Sequence, residues 1–377
     1  MKHFIKRVAV MFSVAGLVAS PAIGQEEVAI PDTMIWTTLD VGSSGHAEAS
    51  ALADALMKEN KTRIRIRPAG SAPARLLPMK SGQATHGMLA NEAYFASEGI
   101  QGFEDRAWGP QNLRVIMARP AVYGLVTTKE SGIKNLADIR GKRFAYVVGQ
   151  PGINVKNDAL LAYAGLTRDD VQVLEMPNYS SSIRALAEGR ADVAGSVPTA
   201  GVLRELEASP DGLAWVRFGD GNWDELQRIV PFFTRQSWGV GPGLSEEVPG
   251  DMVGYRYPII ATYANANADE VYALTKAIMG GVDGFASALA GMENYTPEKA
   301  GTPPVDVPFH EGAIRFYKET GAWTEEHDAW NEGRLTRLRA LRAAWDKLVD
   351  GRGAGMREAD FSAAWLEARD SVLNELK

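Results

Sequence analysis

The chain has 377 residues, 47 acidic and 40 basic side chains, a formal charge of −7 and no cysteine. The lack of cysteine excludes disulfides, thiolate nucleophiles and thiolate metal sites, and an acidic surface without basic runs argues against nucleic acid as a partner. The length suffices for two ordinary domains.

Residues 1–24 read as an export signal. Lys2, Lys6 and Arg7 precede the apolar run Val8 to Ala19, and Ala22 and Gly24 offer small residues at the cleavage positions. That run makes only about 18 Å of helix, against a hydrocarbon core of about 30 Å. Cleavage before Gln25 is therefore expected rather than anchoring, and it would lower the formal charge to −10, because the leader holds three cations and no acid. No later stretch approaches the roughly 18 apolar residues that span a bilayer.

From Met34 to about Phe218, short β-rich runs alternate with helical patterns. Ile35 to Leu39 predicts a strand, and a helix follows from about His46 to Glu59 with Ala49, Leu52, Ala53 and Leu56 on one face. Ile64 and Ile66 alternate with Arg63, Arg65 and Arg67, a strand with one wet face. Gly70-Ser71-Ala72-Pro73 starts the next helix, where proline's missing N–H costs nothing. Such alternation with short glycine turns indicates a parallel sheet.

An internal echo recurs at an offset of 107 residues. Gly42 and Gly45 map onto Gly149 and Gly152, Ile64–Pro68 onto Val171–Glu175, Ser71 onto Asn178, and residues 81–84 onto 188–191. The reading is two α/β lobes on one plan. A single larger α/β domain with recurring turns is the alternative. Leu113–Ala118 and Ala121–Thr128 predict two strands parted by Arg119-Pro120, which makes Arg119 to Gly124 a hinge candidate. Beyond the Gly/Pro-rich stretch 239–250 come a strand at Tyr257–Tyr263 and a helix from about Asp269. Leu338, Leu341, Trp345 and Leu348 form a packing stripe, and a tail helix at about 358–376 packs back on the body.

Ligands of open parallel sheets sit beyond the carboxyl ends of the strands. Helix N-termini there present unpaired N–H groups and about half a positive charge, enough to hold an anion. The candidate contacts are Ser43, Ser44 and His46; Ser71 and Ala72; Asn91 and Glu92; Gln150, Gly152, Ile153 and Asn154; Tyr179 and Ser180; and Ser196 and Thr199. Ser, Asn and Thr at such positions also cap helices whatever the function. Enzyme signatures are weak. The five histidines are scattered, and no HExxH, GxSxG or GxxxxGK[ST] pattern occurs. Neither a catalytic centre, a metal nor a cofactor is expected. Arg235 and Trp238 fit either a lid or a surface turn.

The chain resembles the TAXI family of solute-binding proteins that serve TRAP transporters. The resemblance rests on "SGIKNLADIRGKRFAYVVGQPG" at 131–152, "ALAEGRADVAGSVP" at 185–198, "EVYALTKAI" at 270–278 and "VPFHEGAIRFYKETGAW" at 307–323. It implies a two-lobed, type II-like periplasmic binding protein, each lobe a mixed, mainly parallel sheet flanked by helices. The expected division is a signal peptide at 1–24, the first part of lobe 1 at 25–122, lobe 2 at 123–230, and the completion of lobe 1 with C-terminal helices at 231–377. The implied ligand is a small carboxylate, keto acid or amino acid, the implied partners are integral membrane TRAP permease subunits, and the protein is expected to be a periplasmic monomer. The family's GSGT-like loop falls on Gly149–Asn154 but lacks its Ser and Thr. Gly45-His46-Ala47-Glu48 stands where paired tyrosines are usual, and Glu92 stands where an amide or acid is common. A binding protein for an ABC importer of sulfonates or aromatic acids would share this fold, as would a periplasmic enzyme on the same scaffold.

Overall fold

The structure, a computed structural model, describes residues 30–230, 232–305 and 307–376. The expected signal peptide and its cleavage point lie outside these residues.

Two βαβαβ units follow one another. The first runs through β1 (Thr33–Thr38), α1 (Ser44–Asn60), β2 (Arg63–Pro68), α2 (Ala72–Lys80) and β3 (His86–Leu89), with parallel order β2-β1-β3. A short helix, α3 (Glu92–Glu98), leads out of it towards the long strand β4 (Leu113–Thr127). The second unit comprises β5 (Arg143–Val147), α4 (Pro151–Tyr163), β6 (Gln172–Met176), α5 (Tyr179–Ala187) and β7 (Val193–Ser196), in the matching order β6-β5-β7. The local causes repeat as well. Ser71 Oγ accepts from the Ala74 N–H, and Asn178 Oδ1 accepts from the Ser181 N–H. Each satisfies an N–H group that the first helical turn leaves without a partner.

Each unit is completed by an antiparallel strand that arrives from elsewhere in the chain. Beyond α6 (Leu203–Glu207), β8 (Ala214–Trp215), α7 (Trp223–Ile229) and β9 (Thr234–Trp238), the chain forms β10 (Gly250–Tyr263). The carboxyl half of β10 lies beside β3, and the carboxyl end of β4 lies beside β7. β4 and β10 also pair with each other along most of their length. The two strands expected at 113–118 and 121–128 are thus one. Pro120 interrupts nothing, because it sits where the ladder with β10 is already irregular, next to the register shift after Arg256. β10 likewise starts at Gly250, seven residues before the expected strand.

Two cores divide at these long strands. One gathers Trp36, Leu52, Met88 and Ala118 with Ile259 and Tyr317; the other gathers Ala121, Phe144, Leu160 and Val193 with Tyr255. Both changeovers, between Ala118 and Ala121 and between Tyr257 and Ile259, fall at one level of the molecule. At that level Arg119 is buried and donates to both oxygens of Glu48, Nε at 2.9 Å and Nη2 at 2.5 Å, while the Tyr295 hydroxyl donates to the same carboxylate at 3.0 Å.

The remainder is helical: α8 (Ala268–Gly280), α9 (Pro297–Ala300), α10 (Glu311–Glu319), α11 (Glu325–Asp350) and α12 (Glu358–Glu375). The stripe Leu341, Trp345 and Leu348 of α11 packs on Phe361 and Trp365 of α12. This pair is pinned to the first lobe, where Trp365 Nε1 donates to Gly99 O at 2.6 Å and Arg337 and Arg369 both grip Glu98. Among the described residues no helix is long and apolar enough to cross a membrane.

Candidate functional site

The carboxyl ends of the two parallel sheets face each other, and the turns that leave them touch. Ala72 N–H donates to Gly149 O at 2.9 Å, Val202 N–H to Gly42 O at 3.2 Å, and Ser180 N–H to Asp40 Oδ2 at 3.1 Å. Glycine is needed at two of these contacts. Gly42 (φ +96°) and Gly149 (φ +68°) adopt left-handed backbone, and a Cβ on them would stand 2.9 Å from Ser180 Oγ and 2.8 Å from Ser71 Cβ, each across the interface. The lobes are closed on each other.

Between them lies a cavity with about 30 Å³ of free space. Its apolar walls are Leu39, Met88, Ala90, Ile153 and Val197, and its polar walls are Arg75, Glu92, Gln150 and Lys156 with the tyrosines 123, 179, 255 and 257. Arg75 is almost wholly buried and ties the lobes together. Its guanidinium donates to Glu92 Oε1 at 2.6 Å and Ala69 O at 3.2 Å on its own side, and to Gln150 Oε1 at 3.1 Å on the other. Lys156, also buried, lies over the Tyr255 and Tyr123 rings at 4.3 and 5.0 Å and donates to Asn91 Oδ1 at 3.1 Å. Such cation–ring contacts strengthen when water is excluded. Burial pushes the Tyr123 and Tyr255 hydroxyls well above their ordinary range and Tyr257 up to about 12, so all three are neutral at physiological pH. Two cationic side chains and one carboxylate therefore line a space walled otherwise by neutral groups.

Of the residues expected from the sequence, Glu92, Gln150, Gly152, Ile153 and Tyr179 line this cavity. Asn91 and Ser196 stand directly behind it, holding Lys156 and the Tyr179 hydroxyl (2.6 Å). The others do not form its walls, for identifiable reasons. Ser43 and Ser71 cap α1 and α2, and Ala72 is engaged with Gly149. Ser180 Oγ donates to Val41 O at 2.8 Å, so it joins the lobes instead of facing the cavity. Asn154 accepts from Val147 N–H and donates to Val147 O, both at 2.9 Å, which ties its amide back to β5, and it is outside the lining. Ser44, His46 and Thr199 lie beside the junction, outside the lining. The N–H groups of Gly45, Ala72 and Ser180 donate to Tyr257 Oη, Gly149 O and Asp40 Oδ2, and the cavity is lined in addition by the side chains of Arg75 and Lys156.

Those two cations and the tyrosines 123, 255 and 257 were not singled out from the sequence. A signal existed for Arg75, which shares the buried face of α2 with Ala72, Leu76 and Met79. Lys156 does the same on α4 with Gly152, Ala159 and Leu160. A larger groove of about 500 Å³ lies at the opposite end of the first sheet, near His86, Lys80 and Glu270. It adjoins the amino ends of β1 and β3, away from the strand ends where such sheets hold ligands. Among the described residues no group of His, Asp and Glu is arranged to hold a metal ion.

Among solved structures, the chain is similar to a binding-protein component of an ABC phosphonate transporter from Pseudomonas aeruginosa (14% identity, TM-score 0.47, covering 91% of this chain and 96% of that one). It is also similar to the alkanesulfonate-binding protein SsuA from Xanthomonas axonopodis pv. citri bound to MOPS (17%, 0.42, 78% and 92%). A third is an ABC transporter periplasmic binding protein from Brucella ovis with glutathione bound (11%, 0.44, 67% and 69%). The family model that matches is described as NMT1-like and covers residues 44–321, which run from α1 to α10 and take in the second βαβαβ unit, all of the first but β1, and both long connecting strands. The chain belongs to the NMT1-like family.

Proposed function

We propose that the protein is a periplasmic solute-binding protein that closes its two lobes on a small organic acid and delivers it to a membrane importer. The observation that carries this reading is the enclosed junction of two matched sheets, lined by Arg75 and Lys156 against the single carboxylate Glu92. A carboxylate entering there meets positive charge in a water-poor setting, where a charged hydrogen bond is stronger than in water. The free space, about 30 Å³, is far below the roughly 300–1,000 Å³ of sites for drug-sized molecules, which favours a solute of few atoms. Lobe 1 would comprise residues 25–122 with 231–377, and lobe 2 residues 123–230.

The finer assignment, a TAXI-type subunit of a TRAP transporter working as a monomer after removal of residues 1–24, rests on the motifs at 131–152 and 307–323. Its expected genetic setting is a large multi-span permease; a neighbouring nucleotide-hydrolysing subunit would instead make the importer an ABC system. The test of binding is a thermal-shift panel of carboxylates, keto acids, amino acids and sulfonates on protein unfolded and refolded to strip co-purified solute. Ligand at about 100 times its dissociation constant stabilises the folded state by about 2.7 kcal/mol. One acid raising the melting point by several degrees is the expected result, and a flat response across the panel would sink the reading.

A further inference from the structure

The first lobe carries a basic stripe that the overall charge of −7 hides. Between Lys58 and Arg67 the chain holds five cations and one acid, Glu59. Three of these cations, Arg63, Arg65 and Arg67, alternate along β2 and are exposed. Elsewhere arginine is used to hold carboxylates: Arg140, Arg143, Arg168 and Arg184 each grip one. Arg63, Arg65 and Arg67 hold none, and among the described residues their side chains make no hydrogen bond or ion pair.

Their strand is also the outermost of its sheet. β2 pairs with β1 on one side, and among the described residues nothing pairs with it on the other. Its two faces differ. Ile64 and Ile66 stand beside Met34 and Trp36 at the core, and the arginines stand beside Thr33, Ile35 and Thr37. An edge strand offers free backbone N–H and C=O groups to any extended segment of suitable pattern. A second copy of β2 is a poor fit, since like charges placed opposite one another destabilise a strand pair. Opposite charges at the same positions stabilise it. We propose that β2 is a docking edge for an extended segment of a partner protein in which acidic residues alternate with apolar ones. The acids would face Arg63, Arg65 and Arg67, and the apolar residues would extend the half-buried face of Ile64 and Ile66. This edge lies away from the interlobe cavity, so the inference stands independently of what the cavity binds.

The test uses the purified protein and a fluorescein-labelled synthetic peptide, Glu-Val-Glu-Thr-Glu-Val-Glu. Anisotropy should report binding that is clear at about 20 mM salt and largely lost at about 300 mM, as expected of exposed charge pairs. Hydrogen exchange should slow at backbone amides within residues 63–67 when the peptide is bound. The variant Arg63→Gln/Arg65→Gln/Arg67→Gln should lose at least about tenfold in peptide affinity, keep its melting point, and respond to the carboxylate panel as the parent does. A single Arg65→Gln should lie between the two. Absence of peptide binding at low salt would overturn the inference, as would equal binding by the triple variant. Peptide binding without slowed exchange in β2 would overturn the edge pairing. Binding to phosphatidylglycerol vesicles in place of the peptide would assign the stripe to an anionic membrane surface and overturn it too.

Discussion

Aspartate at position 152 should separate folding from closure. A Cβ there would lie 3.5 Å from Glu92 N, 3.5 Å from Glu92 Oε2 and 3.7 Å from Asn91 Cβ, all ordinary contact distances. Gly152 is not among the residues with left-handed backbone, so the substitution carries no backbone strain. In the first turn of α4 an acid stabilises the helix by about 0.3–1 kcal/mol, and replacing glycine in a helix adds up to about 1 kcal/mol. In the closed state, however, the new carboxylate stands against Glu92 of the other lobe. Two unit charges about 4 Å apart repel by about 4 kcal/mol at an effective dielectric of about 20. Arg75, which lies 2.6 Å from Glu92, offsets part of this and leaves on the order of 2 kcal/mol, or a loss of more than tenfold in ligand affinity. Gly152→Asp should therefore melt no earlier than the parent by circular dichroism. In calorimetric titration with an acid from the panel it should bind at least about tenfold more weakly. Gly333→Asp adds the same charge in α11, where a Cβ meets nothing within 4 Å, and should bind as the parent does. A Gly152→Asp protein that binds with parental affinity would refute the closure argument.

Removing one partner of the buried Arg119–Glu48 pair leaves an uncompensated charge, so Glu48→Ala should lower the unfolding free energy by about 3–5 kcal/mol in urea, while Glu48→Ala/Arg119→Met should recover much of it. If the single variant matched the parent, the pair would not be holding the level where the chain changes cores. Gly149→Ala meets Ser71 across the interface and should lose ligand affinity, whereas Gly141→Ala, also left-handed (φ +74°) but with open space around it, should only lose about 1–2 kcal/mol of stability; equal affinity in the two would contradict the contact. Burial lowers the His86 pKa from 6.5 to about 3, with His310 adding to the effect. The folded state therefore binds fewer protons than the unfolded state between these values, and stability present above pH 6.5 is lost as pH falls towards 3, by about 1.4 kcal/mol per unit. Between pH 7 and 5 this costs about 2 kcal/mol, and His86→Gln should show a drop smaller by that amount in urea titrations; an unchanged pH slope would count against a neutral buried His86.

The features read correctly from the sequence have local causes. Ser71 and Asn178 cap equivalent helices through bonds to residues three positions on, and Gly42 and Gly149 sit at equivalent turns. The echo at 107 residues therefore pointed to two units with the same strand order. What was misread depends on distant partners. Pro120 looked like a strand break because the irregular pairing with Arg256 that accommodates it lies 136 residues away. The first half of β10 was missed because its pairing with β4 and β9, not its own pattern, makes it a strand. Arg75 and Lys156 fall on helices, where a cation is by default assigned to water; only packing against Gln150, Asn91 and Tyr255 turns them inward. Asn154 is the reverse case. Position in a family loop suggested a ligand contact, but both ends of its amide are bonded to Val147.

The most direct test of the central claim is mass spectrometry of the small molecules released on denaturing protein purified under native conditions from the cells that make it. The parent should release one small organic acid in near-stoichiometric amount, and Gly152→Asp prepared in parallel should release little or none. A parent that releases no acid, or a variant that retains as much of it as the parent, would contradict the assignment of the interlobe cavity as an acid-binding site.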